Sequence, residues 1–380
     1  MKTKKILIIC PYNIFPPFWG AATRNYNLAK HLANKYKIFL LCNNYKQLEK
    51  HSANSKEFLQ LSSNPNVQVT FVKSLGKFSQ IFNPLVVIKG LRIIKKERPD
   101  FIIAENVWSG LHAVILSYLS RVPYILDEHN VEFLRFDRMK RGNRAARFIL
   151  KVYEKFSCKF AFKVFCVSEV DRDLLILKLH IRKDAIMIIP NGIDTDKFYP
   201  DKQKSNEVRE RLALYEKPVI LFFGKLDYIP NYEAVEIIRN EILPRILKRM
   251  PEAKFLIVGD NPPSEFLHEK IIFTGLVEKI EDYVNLADIV ICPVLSGGGT
   301  RFKILEALAC EKIVISTSVG AEGLTVKGIS ENLIICDDWD SFSNEIVNSI
   351  STKNAKIDKE FIDLYSWKKS SLDIIGVLES

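Results

Sequence analysis

The sequence predicts an α/β protein made of two Rossmann-like, doubly wound domains that face a central cleft. Short apolar runs alternate with helical patterns in the first half of the chain, which favours a parallel sheet covered by helices. The alternation breaks at Pro190-Asn191-Gly192 and a polar segment, and then restarts. A chain of 380 residues is also long for one core. We therefore expect a first domain over residues 1–195 and a second over residues 196–360.

The first half contains apolar runs of strand length separated by patterns with helical spacing. Buried parallel strands are short and almost continuously apolar, whereas a helix repeats its apolar positions with a period of 3.6 residues. The predicted strands are Lys5–Cys10, Ile38–Cys42, Val67–Val72, Phe101–Glu105, Pro123–Asp127, Val164–Val167 and Ala185–Ile189. The predicted helices are Ala21–Ala33, Leu85–Lys96, Leu111–Leu119, Arg144–Phe162 and Glu169–Leu179.

The second half repeats this alternation after a polar segment, Asp194–Glu207, which we interpret as a linker between the domains. The predicted strands are Pro218–Phe223, Lys254–Val258, Ile271–Thr274, Ile289–Val294, Lys312–Thr317 and Leu333–Cys336. The predicted helices are Tyr232–Arg249, Lys279–Leu286, Arg301–Cys310 and Ser341–Ile350. The tail, residues 361–378, is typical of a helix pair or of one kinked helix.

Cysteine and histidine spacing argues against a structural metal site. The seven cysteines are scattered without metal-ligand or redox-motif spacing, and the six histidines show no paired spacing. The odd, unpatterned cysteine count favours a reducing compartment. The lysines and short apolar run at the N-terminus resemble a signal peptide but lack its length and cleavage site, so we expect a buried strand. No apolar run has membrane-spanning length, and we expect a cytoplasmic protein.

The net charge of +10 is concentrated in one segment, Leu134–Lys163, which has ten basic and two acidic residues interleaved with aromatic ones. It includes Arg138, Lys140 and Arg141. Such a segment could serve nucleic acid, an anionic membrane surface, or solubility alone. Because no nucleic-acid-binding signature accompanies it, we expect no nucleic-acid partner. Docking at the inner face of the cell membrane, which the apolar and basic segment Ile81–Lys96 also favours, and a solvated basic face both stay open.

A glycine-rich turn in the second half has the pattern of an anion site. Gly297, Gly298 and Gly299 lie between a predicted strand and a predicted helix. Glycines let backbone N–H groups approach a phosphate, and a helix N-terminus adds partial positive charge. At helical spacing, Lys303 and Glu306 share one stripe, which suits a ligand with phosphates at one end and hydroxyls at the other. The alternative is an ordinary turn beside a surface Lys–Glu pair.

Three further sequence features follow strands at their carboxyl ends. Gly20 precedes a helix in an aromatic, proline-rich loop, which either approaches a ligand or packs on its own aromatic rings. His129 follows a strand and is either a catalytic or a structural histidine. Lys225 follows Gly224, and with Lys303 it would neutralise a diphosphate leaving group without a metal. The alternative is a pair of solvated surface lysines. The Asp-x-Asp triplets at 171–173 and 194–196 are interpreted as structural, so no metal and no cofactor are expected.

Several of these segments together resemble the GT-B glycosyltransferases of glycosyltransferase family 4. The resemblance rests on PNGIDTDKF, FFGKL, the run from Ile271 to Pro293, and the segment from Gly297 to Leu324. It covers most of the second domain and is weaker in the first, where it rests on the Gly20 loop and the DEHNVE segment. It implies a C-terminal helix, residues 361–380, that packs back on the first domain. It also implies retaining, metal-independent sugar transfer from a nucleotide-diphospho-sugar.

The resemblance also implies roles for individual residues. Lys225 and Lys303 would contact the donor diphosphate, Glu306 the ribose hydroxyls, and His129 the reacting sugar. The segment Thr274–Val277, with Gly275, would lie near the base. The remaining predicted substrate-binding positions are Gly20, Gly224, Gly298, Gly299, Thr300 and Arg301. Two departures matter. Many members carry a glutamate where this chain has Gly298, so sugar recognition must differ. Many also carry a lysine several residues after the position of Lys225, where this chain has Pro230-Asn231, and Arg301 or Lys303 could replace that missing charge.

We therefore expect a glycosyltransferase acting on a glycan or lipid-linked acceptor, in the synthesis of bacterial surface polysaccharide or glycoconjugate. His129 and Glu306 are the expected catalytic residues. Two alternatives stay open on the same fold. One is a nucleotide-sugar 2-epimerase, and the other is a protein that binds nucleotide sugars without catalysis. Product analysis separates them from a transferase.

Overall fold

The chain folds into two compact units, each with its own hydrophobic core. The structure is a computed structural model that describes residues 3–44, 55–139, 142–324, 331–350, 352 and 356–379. The first unit comprises Met1–Asn191 and Trp367–Ser380, and the second comprises Gly192–Ser366. The chain therefore passes from the first unit to the second within the segment Pro190-Asn191-Gly192.

The first unit is built on a seven-stranded, wholly parallel sheet of order β3-β2-β1-β4-β5-β6-β7. Its strands are β1 (Lys5–Cys10), β2 (Lys37–Asn44), β3 (Val67–Lys73), β4 (Phe101–Glu105), β5 (Tyr124–Asp127), β6 (Lys163–Cys166) and β7 (Ile186–Ile188). Its helices before β7 are α1 (Gly20–Leu32), α2 (Lys56–Ser62), α3 (Pro84–Glu97), α4 (Gly110–Ser120), α5 (Glu132–Arg138), α6 (Arg144–Phe160) and α7 (Glu169–Leu179). The predicted strands and helices of this half are confirmed, with ends that differ by a few residues.

Two helices of this unit, α2 and α5, were not predicted. Both are short, and α5 begins where Glu154 of α6 accepts hydrogen bonds from the backbone N–H groups of Glu132 (2.7 Å) and Phe133 (2.9 Å). These N–H groups have no partner within their own helix, so a carboxylate from a distant helix stabilises its start. Local sequence does not contain that information.

The second unit contains a six-stranded, wholly parallel sheet of order β10-β9-β8-β11-β12-β13. Its strands are β8 (Val219–Phe223), β9 (Lys254–Val258), β10 (Ile271–Gly275), β11 (Ile289–Cys292), β12 (Ile313–Ser316) and β13 (Leu333–Ile335). Its helices are α8 (Lys202–Arg211), α9 (Ile229–Ile237), α10 (Leu243–Leu247), α11 (Ile280–Leu286), α12 (Phe302–Ala309), α13 (Trp339–Ile350) and α14 (Lys359–Leu364). Short 3-10 turns in the two units cover Lys77–Gln80, Val107–Ser109, Lys183–Ala185 and Ser264–Phe266.

The predicted helix Tyr232–Arg249 is interrupted. A π-helical turn, Ile238–Ile242, joins α9 to α10. Pro244 lies at the start of α10, and because proline has no N–H it cannot continue the α-helical hydrogen bonds. The wider turn before the proline accommodates this break.

The second half of the predicted linker, Asp194–Glu207, is helical. Helix α8 begins at Lys202, and Asp201 caps it by accepting a hydrogen bond from the backbone N–H of Lys204 at 3.1 Å. Val208 is the one buried residue of this otherwise hydrophilic helix. A helix that buries so little has almost no apolar periodicity, which explains why the sequence pattern did not reveal it.

The tail forms a helix pair, α14 and then α15 (Trp367–Glu379), and α15 belongs to the first unit. Ser370 Oγ donates a 2.8 Å hydrogen bond to the Pro190 carbonyl, and Tyr36 Oη donates a 2.6 Å bond to Glu379. Trp367 is buried. Nowhere in the described ranges is there a helix of the length and hydrophobicity needed to cross a bilayer.

Both sheets place their topological switch next to a central strand. The chain winds outward from β1 in both directions, so β1 and β4 are neighbours, and β8 and β11 are neighbours in the same way. Open parallel sheets bind ligands outside the carboxyl ends of such strand pairs. The switch points therefore direct attention to Glu105 at the end of β4, Gly224 after β8, and the glycine-rich turn after β11.

Candidate active site

In the second unit, Gly224 follows β8 and allows two side chains to approach the backbone. Its φ is +149°, a region that favours glycine, and its N–H donates to the Val258 carbonyl at 2.9 Å. A Cβ at this position would lie 2.8 Å from Asn231 Nδ2 and 3.1 Å from Lys303 Nζ. Glycine is therefore required for Asn231 and Lys303 to pack against this turn.

Asn231 joins the two predicted lysine-bearing segments. Lys303 Nζ donates to Asn231 Oδ1 at 2.9 Å, and Asn231 Nδ2 donates to the Lys225 carbonyl at 2.8 Å. The sequence predicted Gly224, Lys225 and Lys303 as site residues. The structure brings them together through the side-chain amide of Asn231, which was not among the predicted site residues. A polar residue one turn into a helix after a strand-end glycine is the signal that could have identified Asn231.

The two lysines have different environments. Lys303 is partly buried, and its Nζ lies 4.0 Å from the centroid of the Phe222 ring. Burial lowers the pKa of Lys303 to about 8, because the charged form is desolvated. Lys225 is more exposed and pairs with Asp227 at 3.1 Å. An exposed ion pair of this kind is worth little, so a stronger anion could displace Asp227.

The glycine-rich turn is held in place by Arg301. Its guanidinium donates to the carbonyls of Gly298, Gly299 (2.7 Å) and Ser296 (3.1 Å). Gly297 (φ +102°) and Gly299 (φ +70°) adopt positive φ, which only glycine adopts readily. The guanidinium is thus committed to the turn, and Lys303 is the better-placed cation for a ligand.

Thr300 and Glu306 both carry polar atoms without partners. Thr300 Oγ1 is buried and has no hydrogen-bond partner within the described chain. Among the same residues, the partly buried Glu306 carboxylate accepts no hydrogen bond and forms no salt bridge with Lys303. Burial raises the pKa of Glu306 to about 7, although Lys303 opposes the shift. Glu306 is therefore not half of the surface ion pair that was the alternative.

The remaining predicted positions of this unit lie at the carboxyl end of the edge strand β10. Thr274 Oγ1 donates to the Gly275 carbonyl at 2.9 Å, and Gly275 has a φ of +71°. The Gly275 carbonyl also accepts a hydrogen bond from Gly259 N–H at 3.2 Å. Val277 packs partly buried against the core. These residues lie along the same sheet edge as Gly224, two strands away.

In the first unit, a buried ion pair joins α1 to β5. The guanidinium of Arg24 donates two parallel hydrogen bonds to Asp127, Nε to Oδ2 at 2.8 Å and Nη2 to Oδ1 at 2.7 Å. Arg24 Nη1 also donates to Asn191 Oδ1 at 3.1 Å. Both side chains of the ion pair are 1% exposed. Gly20, the first residue of α1, thus begins the helix that carries this arginine.

His129 lies beside the same aspartate. Its Nε2 is 3.2 Å from Glu105 Oε2 and 3.5 Å from Asp127 Oδ2. Its Nδ1 is buried and has no partner in the described residues. The sequence predicted His129, but Glu105 was missed. A carboxylate at the end of a strand next to the switch point is the signal that could have found it.

The charges of this cluster are mutually stabilising. Burial disfavours the ionised Asp127, but Arg24 outweighs that effect and holds its pKa well below the usual range. Burial also disfavours a charged His129, but hydrogen bonds to Asp127 and Glu105 outweigh it and raise its pKa. Burial and the charge of Asp127 raise the pKa of Glu105 to about 7. Asp127 is therefore ionised at neutral pH, whereas Glu105 gains or loses its proton near pH 7.

Glu105, Asp127 and His129 also form a group that could ligate a metal ion, with ligand atoms within 4.8 Å of one another. The donor set does not fit a cation well. Both Asp127 oxygens already accept hydrogen bonds from Arg24, whose charge would lie beside the ion. We therefore interpret the cluster as an ion-pair network.

Aromatic side chains of the loop before α1 pack on one another and on rings of α1, α2 and β3. Phe15 is buried and contacts Tyr26, Phe58 and Phe71 edge-on or nearly so. Trp19 packs edge-on against Tyr12 at 5.9 Å. The packing of Phe15 and Trp19 positions Gly20, whereas Phe18 of the same loop is 60% exposed.

Comparison with known proteins agrees with the resemblance. The model described as Glycosyltransferase Family 4 matches residues 19–197, and the model described as Glycosyl transferases group 1 matches residues 217–352. An Escherichia coli UDP-Gal:alpha-D-GlcNAc-diphosphoundecaprenol alpha-1,3-galactosyltransferase is 26% identical over 306 residues, which is 76% of each chain. The putative teichuronic acid biosynthesis glycosyltransferase TuaC of Bacillus subtilis is 28% identical over 58% of this chain and 54% of its own.

Solved structures match nearly the whole chain. HepE of Anabaena, solved in complex with UDP and glucose, has a TM-score of 0.75 and 18% identity over 99% of this chain and 100% of its own. A sucrose-phosphate synthase of Thermosynechococcus elongatus has a TM-score of 0.76 and 17% identity over 99% of this chain and 98% of its own. Their identity is low, so these matches show the fold. The family models match both units in the order that the sequence predicted, and the chain is a glycosyltransferase of the GT-B fold and of the family 4, group 1 type.

Proposed function

We propose that the chain transfers a sugar from a nucleotide-diphospho-sugar to a hydroxyl of a glycan or lipid-linked glycan, in the synthesis of a bacterial surface polysaccharide or glycoconjugate. One observation carries the donor assignment: Lys303, Asn231 and Lys225 are linked beside a glycine turn, with the unpaired Glu306 one helical turn further on. The relatives support the class, since the E. coli protein is named for a UDP-Gal donor and a diphosphoundecaprenol-linked acceptor. HepE was solved with UDP and glucose.

Most of the predicted donor residues have a chemical role in this proposal. Lys303 and Lys225 bind the diphosphate, with Lys303 the stronger partner because it is partly desolvated. Glu306 accepts hydrogen bonds from the ribose hydroxyls, which gives its carboxylate the partners it lacks. Amides of the turn at Gly298 and Gly299 add further donors. Thr274, Gly275 and Val277 lie near the base.

The transfer step needs little besides charge stabilisation and orientation. The bond between the sugar C1 and the diphosphate oxygen breaks, and its electron pair goes to the diphosphate, whose charge the two lysines and the turn amides stabilise. The acceptor oxygen forms the new bond on the same face of the sugar, and its proton passes to the departing phosphate oxygen. The configuration at C1 is retained, and no metal is required. His129 contacts the reacting sugar.

Donor and product are identified by two linked experiments. A thermal-shift panel of nucleoside diphosphates and their sugars identifies the donor, because a ligand that binds the folded state raises Tm. The protein is then incubated with that donor and a lipid-linked acceptor, and the anomeric configuration of the product is read by NMR, with and without EDTA. A glycoside of retained configuration that forms in EDTA supports the proposal. Free isomerised donor, an inverted product, or EDTA-sensitive transfer would contradict it.

We also propose that α6 docks on an anionic membrane surface. Its outward residues Phe148, Ile149, Val152, Phe156 and Phe160 are 41–68% exposed, an arrangement opposite to that of a helix with a buried apolar face. The helix also carries five basic residues: Arg144, Arg147, Lys151, Lys155 and Lys159. Its one acid, Glu154, is buried. Lys140 and Arg141 of the predicted basic segment lie outside the described residues.

An exposed face with apolar and basic but no acidic side chains complements anionic lipid headgroups above an acyl layer. Co-sedimentation of the protein with vesicles of anionic and of zwitterionic lipid tests this surface. The expected result is binding to anionic vesicles at low salt that the double variant Phe148→Ser with Phe156→Ser abolishes. The control is Tyr215→Ser, an exposed aromatic of the second unit. Equal binding of wild type and the double variant would exclude α6 as the docking surface.

A further inference from the structure

The imidazole of His129 is held from one side only. Its Nε2 faces two carboxylates, Glu105 at 3.2 Å and Asp127 at 3.5 Å. Its Nδ1 is buried and makes no hydrogen bond with any described residue. The three side chains are at most 6% exposed. The ring is therefore fixed by a contact that uses one nitrogen and leaves the other free.

Two acceptors on Nε2 determine where its proton lies. Asp127 accepts two hydrogen bonds from Arg24, which keeps it ionised and unable to donate. Glu105 Oε2 faces the Asn25 amide as well. With that amide oriented so that its nitrogen faces both acceptors, it donates to Glu105 Oε2 at 2.7 Å and to the Ala21 carbonyl at 2.9 Å. Both carboxylates thus act as acceptors, and Nε2 must carry the proton that they share.

We infer that Glu105 is a positioning residue for His129: with Asp127 it keeps the ring proton on Nε2, so that Nδ1 is the nitrogen available to the reacting sugar or the acceptor hydroxyl. The inference rests on the proposed function, which assigns His129 to the reacting sugar. It adds a residue outside the predicted site and assigns a role to each ring nitrogen. Nε2 holds the ring in place, whereas Nδ1 accepts a hydrogen bond from the reacting sugar or the acceptor hydroxyl.

The unpaired Nδ1 is consistent with a ligand contact. A buried polar atom without a partner costs about 1–3 kcal/mol, and a substrate oxygen would remove that cost. The ionisable groups around Glu105 and His129 are Arg24 on α1, Cys10 at the end of β1, Tyr12 just after β1, Asp127 at the end of β5 and Glu132 on α5. Arg24 and Asp127 keep their charges over the working range of pH, so Glu105 and His129 are the groups that titrate.

The first test reads the ring directly. In protein labelled with 15N-histidine, two-bond 1H–15N correlations distinguish a protonated from an unprotonated ring nitrogen, and the spectrum of His129→Gln assigns the signal. As the pH is raised, we expect Nδ1 to lose its proton while Nε2 keeps its own. A neutral ring with the proton on Nδ1 would overturn the inference. Because this measurement needs no activity, it stands whether or not the protein transfers sugar.

The second test uses Glu105→Gln and, as a matched control, Glu154→Gln. Glu154 is another fully buried carboxylate of the first unit, and it contacts the start of α5 rather than His129. In Glu105→Gln we expect His129 to titrate at lower pH, kcat to fall about tenfold or more, and KM for the donor to stay within about twofold. Glu154→Gln should leave the His129 titration unchanged. Wild-type kcat with an unshifted His129 titration in Glu105→Gln would refute the positioning role.

If the wild-type protein transfers no sugar, the proposed function is wrong. The NMR measurement would still show which ring nitrogen of His129 carries the proton. If Glu105→Gln folds poorly, Asn25→Ala provides a second variant. It removes the amide that faces Glu105 without changing a charge. Like Glu105→Gln, it should weaken the preference of the ring proton for Nε2. An unchanged tautomer in Asn25→Ala, together with the wild-type spectrum showing Nδ1–H, would also refute the inference.

Discussion

Lys303 Nζ and Asn231 Oδ1 form a 2.9 Å hydrogen bond that joins α12, the helix after the glycine-rich turn, to the first turn of α9. The amide nitrogen of Asn231 donates onward to the Lys225 carbonyl. One asparagine therefore fixes the direction of the lysine that we assign to the donor diphosphate. The first prediction concerns this residue.

Asn231→Asp is expected to weaken binding of the nucleoside diphosphate by about tenfold or more. The new carboxylate would form an ion pair with Lys303 and would repel the diphosphate, and both effects compete with the ligand. Isothermal titration calorimetry with the donor nucleotide measures the change. Asn240→Ala, which alters an exposed asparagine in the π-helical turn after α9, is the control and should bind normally. Normal affinity in Asn231→Asp would remove Lys303 from the diphosphate site.

Binding of the diphosphate should take up a proton at pH 8. Burial lowers the pKa of Lys303 to about 8, so about half of the molecules carry a neutral amine there, and a bound anion would favour the charged form. Affinity is therefore expected to fall as the pH rises above 8. Glu306, whose pKa is raised to about 7, is mostly ionised at that pH and contributes little. Calorimetry in buffers of different ionisation enthalpy measures the uptake. Lys303→Arg keeps its charge and should show none.

Glu306→Gln should stabilise the unliganded fold at alkaline pH. Burial raises the pKa of Glu306 from 4.5 to about 7, so the folded state holds the proton more tightly than the unfolded state does. The wild type therefore loses stability as the pH rises through that range, and the loss stays constant above it. After allowance for partial exposure, we expect a gain of about 1–2 kcal/mol for Glu306→Gln at pH 8.5 and little change at pH 4.5.

Urea denaturation at the two pH values measures this difference, and Glu252→Gln, at an exposed turn, is the control that should show none. The same Glu306→Gln protein should bind the donor nucleotide more weakly, by about 1–3 kcal/mol, because a carboxylate accepts from hydroxyls more strongly than an amide does. A variant that gains stability and also keeps full affinity would contradict the ribose assignment, since the carboxylate would then serve neither fold nor ligand.

Gly224→Ala should impair donor binding and destabilise the second unit. The new Cβ would meet Asn231 Nδ2 at 2.8 Å and Lys303 Nζ at 3.1 Å, and the φ of +149° is unfavourable for alanine. Overpacking and backbone strain together suggest a loss of about 2–4 kcal/mol. Gly376→Ala is the matched control in α15, where a Cβ meets nothing within 4 Å. It should be neutral or stabilising, by up to about 1 kcal/mol. Thermal denaturation and donor titration of both variants test the comparison.

Periodicity in the sequence was enough to predict the two parallel sheets. Buried strands such as Lys5–Cys10 and Lys254–Val258 are short and almost wholly apolar. Each can therefore be predicted from its local sequence, without knowledge of the strands beside it. Elements that depend on distant partners were not predicted. The start of α5 is stabilised by the carboxylate of Glu154 from another helix, and α8 buries only Val208. Neither helix therefore has a strong local sequence pattern.

The candidate site divides in the same way. Gly224, Lys225, Lys303 and Glu306 were identified because glycines and charges at strand and helix ends form a local pattern. Pairwise contacts were decided only by the tertiary structure. It showed Arg301 committed to the turn, Asn231 between the lysines, and Glu105 beside His129. The physical reason is that a hydrogen bond between residues far apart in sequence depends on strand order and helix packing. By itself the sequence determined the fold and the kinds of side chain at the strand ends, whereas the tertiary structure decided which of those side chains meet.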